Sequence, residues 1–115
     1  MLSVSGPYRI PAALMTVAAV LHFAAAVIPS GPAIAGSVLG IAVHVVAGIG
    51  LLRGWRWFTY VGFLVALIGG IVSLAIAAQG ASLGSTIQWG IVIVDGLAAV
   101  WLLAQLWRSA EPATD

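Results

Sequence analysis

The chain has 115 residues, of which 63% are hydrophobic and only 6% charged, and its mean hydropathy is +1.18. Soluble domains carry about 25% charged residues to keep their surfaces wetted, so this composition excludes a water-exposed globular fold and reads as a single membrane domain. The net charge of +1, from four arginines against Asp95, Glu111 and Asp115, leaves no nucleic-acid footprint and no polybasic lipid patch. With no cysteine, disulfides, thiolate metal sites and thiol catalysis are excluded together.

A bilayer-crossing helix needs about 20 consecutive apolar residues. Four runs meet that length, at residues 10–28, 33–52, 57–78 and 86–107. Pro29-Ser30-Gly31-Pro32 breaks the first run from the second, Arg53-Gly54-Trp55-Arg56 makes a tight charged hairpin, and Gln79 to Ser85 separates the third run from the fourth. Residues 108–115 read as a short flexible tail. The expected fold is an all-α integral membrane protein, a bundle of four transmembrane helices.

Arg9 precedes the first run, Arg53 and Arg56 lie between the second and third, and Arg108 follows the fourth. All four then fall on one side of a four-span topology, and the positive-inside rule places both termini in the cytoplasm. Tyr8, Trp55, Trp57, Tyr60 and Trp107 mark the same interface, and Trp89 marks the opposite one. Arg9, the following apolar run and Ala24-Ala25-Ala26 also imitate the three parts of a secretory signal, but the run is long for one and contains His22. A retained first helix is the expectation.

Small residues recur at helical spacing along each run. Met15, Ala18, Ala19, His22, Ala25 and Ala26 share a face of the first; Ser37, Gly40, His44, Ala47 and Gly48 share one of the second. On the third the face carries Gly62, Ala66, Gly69, Gly70 and Ser73, and on the fourth Gln88, Asp95, Ala98 and Ala99. Helices in lipid associate through such faces because small side chains let backbones approach closely. Gly40, Gly48, Gly62, Gly69, Gly70 and Ser73 are therefore the expected packing positions.

Three ionisable residues sit on these faces. At a rise of ~1.5 Å per residue, His22 stands ~18 Å above the arginine-bearing end of its helix, His44 ~12 Å and Asp95 ~18 Å. They share one layer, and the third helix meets that layer at Gly69 and Gly70, which leave space. Ionisable groups inside a membrane segment need partners, and they are functional pointers.

Several readings of the trio are open. It can be a hydrogen-bond network locking helices within a small accessory or self-associating subunit, and Trp101, projecting away from Asp95, suits a protein neighbour in the membrane as well as lipid. It can move protons in a transporter of ions or small molecules that uses Asp95 with His22 and His44, since Asp and His chains serve as relays. It can ligate haem b through His22 and His44, two imidazoles at similar depth flanked by small residues. Two His and one Asp on three separate helices are a weak zinc pattern, and no resident metal is expected. No catalytic triad, phosphate-binding glycine loop or carboxylate pair is present, so no enzyme is expected.

The stretch from His44 to Trp57, with Gly-Leu-Leu-Arg-Gly-Trp-Arg-Trp, and the ending Trp89-Gly-Ile-Val-Ile-Val-Asp95-Gly-Leu-Ala-Ala-Val-Trp101 resemble uncharacterised small four-helix membrane proteins of actinobacteria. The likeness covers the last three helices. It implies a multi-pass protein of the bacterial cytoplasmic (inner) membrane and no particular activity.

Overall fold

A computed structural model describes residues 8–27, 34–80 and 83–110, and it is all-helical over those residues. The four helices are α1 (Arg9–Val27), α2 (Ile34–Leu52), α3 (Trp57–Ala77) and α4 (Leu83–Ala110). By length and composition α1, α3 and α4 are able to cross a membrane; the apolar run described in α2, Gly36–Leu52, is shorter. The expected break at Pro29 to Pro32 lies outside the described residues.

Local chemistry sets the helix ends. Pro11 falls in the first turn of α1, where its missing N–H costs nothing because the first four N–H groups have no intrahelical acceptor. Helix α2 ends on Gly54, whose φ of 71° lies in the left-handed region that favours glycine. There Gly54 N–H donates to Leu51 O at 3.0 Å and Trp55 N–H to Gly50 O at 3.2 Å, the bond pair of a Schellman stop. The chain reverses at once into α3, and the Arg53 guanidinium lies 5.5 Å from the Trp55 ring centroid.

Two expectations need correction, both in α4. The helix starts at Leu83, three residues before the expected Thr86, and it continues through Arg108 to Ala110, so the start of the expected flexible tail is helical. Ser85 explains the early start. Its hydroxyl donates to Ala77 O at 2.7 Å and also contacts Gly80 O, which fastens the first turn of α4 to the last turn of α3. Residues 111–115 lie outside the described residues.

The helices follow chain order around the bundle. α1 packs on α2 and α4, and α3 packs closely on α4 but only loosely on α2, which puts α2 and α4 on a diagonal. The arginine-bearing half is filled by Met15, Leu51, Phe58 and Leu102 among small alanines. A Cβ added to Gly62 would stand 3.1 Å from Leu102 Cδ1 and 3.3 Å from Leu51 Cδ1, so that glycine sets how closely α3 approaches. Gly48 meets Met15 at ordinary contact distance. Large apolar side chains such as Val20, Phe23, Leu39, Ile68, Ile93 and Val100 cover the outside. Trp55, Trp57, Tyr60 and Trp107 are exposed toward the arginine-bearing end, Trp89 toward the other, and Trp101 is exposed between them.

Candidate functional site

Helix phase brings His22, His44 and Asp95 to one place. All three are buried, with 7%, 1% and 0% of their surface exposed, and their ligating atoms lie within 4.8 Å of one another. Each comes from a different helix, α1, α2 and α4.

His44 makes the central connection. Its Nδ1 lies 2.7 Å from Gly40 O and its Nε2 lies 2.8 Å from Asp95 Oδ1. The second bond spans the bundle diagonal from α2 to α4, two helices with little other contact.

Hydrogen-bond roles fix the proton count. A carbonyl oxygen only accepts, so His44 Nδ1 carries a proton and donates it to Gly40. The other bond also holds one proton, carried by Nε2 or by Oδ1. The pair is therefore either imidazolium and carboxylate or imidazole and carboxylic acid, and its net charge is zero both ways. A neutral pair with both partners bonded is the form of buried charge that a low-dielectric interior tolerates. The 2.8 Å separation falls in the range of charge-assisted bonds, about 2.7–2.9 Å.

Two glycines shape the space around the pair. A Cβ on Gly69 of α3 would stand 2.6 Å from Asp95 Oδ2 and 3.4 Å from His44 Cε1, so the carboxylate occupies the volume that a side chain there would take. At Gly70 the added carbon would meet only Asp95 Cβ, at 3.5 Å. Gly40 has two roles: its carbonyl receives the His44 proton, and a Cβ on it would stand 2.6 Å from His22 Nδ1, so the His22 ring lies against bare backbone. The two imidazole centroids are 4.9 Å apart, with the rings tilted by 42°.

The trio is incompletely bonded. Among the described residues, the buried side-chain atoms without a hydrogen-bond partner are His22 Nδ1 and Nε2, Asp95 Oδ2 and Gln88 Oε1. Such atoms are rare in folded proteins because each costs about 1–3 kcal/mol of desolvation. Here three of the four belong to the trio. The fourth, on Gln88, lies two helical turns before Asp95 on the same helix.

Beside the trio, the loose packing of α2 on α3 opens a cleft of about 580 Å³. Leu39, Val43, Leu64, Ile68 and Val72 form apolar walls, whereas Ser37, Ser73, Gln88, His22 and His44 supply polar groups. The polar groups are not evenly spread. Ser37 precedes His44 by seven residues and Gln88 precedes Asp95 by seven, which places both ~10 Å nearer the charge-free end at ~1.5 Å per residue. The few polar groups of this otherwise apolar cleft therefore lie toward that end, while the opposite half is filled by Met15, Leu51, Phe58 and Leu102.

Sequence periodicity had put His22, His44, Asp95, Gln88 and Ser73 on inward faces, and all are buried. It had no signal for the partner of each: that Gly40 supports both histidines, or that Gln88 lines the cleft. The i, i+7 spacing of Gln88 and Asp95 was the available clue. Haem ligation finds no support in the geometry, since the two imidazole rings lie against each other, 4.9 Å apart and tilted by 42°, with no slot between them for a macrocycle. No protein-family model, curated protein or solved structure matches this chain.

Proposed function

We propose that the protein is a small multi-pass protein of the bacterial cytoplasmic membrane, with both termini inside, that couples protons to the passage of an ion or small molecule. The observation that carries this reading is the set of unpartnered buried atoms on His22 and Asp95 beside the cleft. If the trio served only to hold helices together, its polar atoms would be bonded to one another, since each unmet bond weakens the bundle. His44 and Asp95 are so bonded; His22 is not. The neutral His44–Asp95 pair holds one exchangeable proton next to groups that lack partners, which is what proton-for-substrate exchange requires.

The orientation is supported by the four arginines at one end, and the four-span topology by α2, whose length is completed by residues before Gly36. Reporter fusions at each terminus check it: both should be active only for a cytoplasmic location.

A second reading, an accessory or self-associating subunit, is favoured by the His44–Asp95 bond itself, which links helices across the diagonal. Proteoliposomes containing a trapped pH dye separate the two. Imposed gradients of divalent cations and of amphiphilic amines should drive proton movement for one class. That movement should be lost in Asp95→Asn and kept in Thr16→Ala, whose hydroxyl only bonds back to Ala12 O. If no gradient moves protons and Asp95→Asn alters stability alone, the subunit reading replaces transport.

A further inference from the structure

We propose that His22, His44 and Asp95 form a binding site for a divalent first-row transition-metal ion of the zinc class, exchanged for two protons. The inference rests on the transport reading and names its cargo.

The donor set suits such an ion. Two imidazole nitrogens and one carboxylate oxygen with an open fourth position make a typical exchangeable or catalytic zinc set, whereas magnesium and calcium prefer all-oxygen cages. At metal–ligand distances of about 2.0–2.2 Å, tetrahedral ligands stand ~3.3 Å apart. The three donor atoms already lie within 4.8 Å of one another, so small side-chain rotations close the set.

The surroundings match metal-binding chemistry at two further points. A metal-bound histidine generally donates its other ring N–H to a carbonyl or carboxylate, which fixes its tautomer and orientation. His44 Nδ1 makes that bond to Gly40 O at 2.7 Å, leaving Nε2 aimed at the trio. Among the unpartnered atoms, Asp95 Oδ2 and the bare nitrogen of a neutral His22 ring are lone-pair sites that an ion would satisfy; the other His22 nitrogen carries the ring proton.

Charge balance favours exchange. Before binding, the His44–Asp95 pair is neutral and holds one bridging proton. An entering M²⁺ displaces that proton and takes His44 Nε2, a neutral His22 and the Asp95 carboxylate as ligands, leaving a site of charge +1. If a water taking the fourth position then loses a proton, the site returns to zero. One divalent ion enters and two protons leave, so the buried layer carries no net charge in either state. A site charged in only one state would face the cost of an uncompensated ion in low dielectric.

Ser37 and Gln88, polar side chains in an otherwise apolar cleft, stand on the charge-free side of the trio and place the entry route there.

The test uses untagged full-length protein in mild detergent, stripped with a chelator and titrated with Co²⁺ and then Zn²⁺. His22 and His44 are the only histidines and there is no cysteine, so a bis-imidazole cobalt spectrum reports this site alone. The expected result is one Co²⁺ per chain with a tetrahedral visible spectrum, displaced by Zn²⁺, and two protons released per ion in weak buffer. His22→Ala should weaken binding by more than the 10–100-fold that loss of a supporting hydrogen bond produces. Because His22 makes no hydrogen bond, this variant keeps the His44–Asp95 lock, and its helical content by circular dichroism should be unchanged. Thr16→Ala, whose hydroxyl bonds back to Ala12 O, should bind as the parent does. Absence of saturable binding, or binding that survives His22→Ala, overturns the inference. Proton movement in liposomes without metal binding sinks the metal site and keeps the transport reading; stoichiometric binding without proton movement keeps the site and sinks transport.

Discussion

Replacing Gly69 by alanine tests the geometry around Asp95 with one methyl group. That carbon would stand 2.6 Å from Asp95 Oδ2, nearer than real Cβ contacts come, and the carboxylate has little freedom because His44 holds its other oxygen at 2.8 Å. Either the helix backs away or Asp95 turns and gives up the bond. Overpacking of this kind costs about 1–3 kcal/mol. Loss of an interhelical hydrogen bond in a membrane bundle adds about 0.6–1.7 kcal/mol, and the better helix propensity of alanine returns about 1 kcal/mol. The net expectation for Gly69→Ala is therefore a destabilisation of roughly 2 kcal/mol. Gly70→Ala provides the control in the next residue: its methyl reaches ordinary contact with Asp95 Cβ at 3.5 Å, so it should be neutral or stabilising by up to about 1 kcal/mol. Reversible unfolding in mixed micelles measures both. The cycle of Gly69→Ala with Asp95→Ala adds a second reading, because removing the carboxylate should relieve the clash and make the alanine tolerable. Equal stabilities for the two alanine variants, or additive losses in the cycle, would refute the placement of Asp95 against α3.

Gly40→Ala would press a methyl onto the His22 ring, 2.6 Å from Nδ1, while leaving the carbonyl that receives the His44 proton. It should destabilise by about 1–3 kcal/mol and weaken metal binding, whereas Gly36→Ala, with open space around it, should do neither; cobalt titration and micelle unfolding check both. Leu102→Ala, at a fully buried position, loses packing but, for the membrane protein proposed above, little transfer energy, because the unfolded reference would also lie in lipid. The cavity term alone gives about 2 kcal/mol, against nearly nothing for Val100→Ala on the exposed surface, as measured by the same unfolding assay.

The helices were legible because two sequence signals agree: long apolar runs give number and length, and small residues at helical spacing give the inward face. His44 and Asp95 could be assigned to one layer from rise alone. What periodicity does not encode is the order of helices around the bundle, which depends on which faces fit. The bond across the diagonal and the loose α2–α3 contact that opens the cleft were thus beyond reach. The start of α4 is hidden in the sequence for a different reason. Gly84 and Ser85 have loop composition, yet the Ser85 hydroxyl bonds to Ala77 O and stabilises the first turn they share. By sequence Gly69 leaves space; in the fold the Asp95 carboxylate fills it.

The central claim is that His44 and Asp95 share one proton in a buried bond while His22 stands unbonded beside them. Nitrogen-15 NMR of the histidine rings in lipid bilayers tests it directly, because the chain contributes only two imidazoles. The account predicts one ring with a protonated, strongly hydrogen-bonded Nδ1 and an Nε2 signal that shifts in Asp95→Asn, assigned to His44 by its loss in His44→Ala. The other ring should show two weakly perturbed nitrogens. Two rings alike, neither responding to Asp95→Asn, would contradict the account.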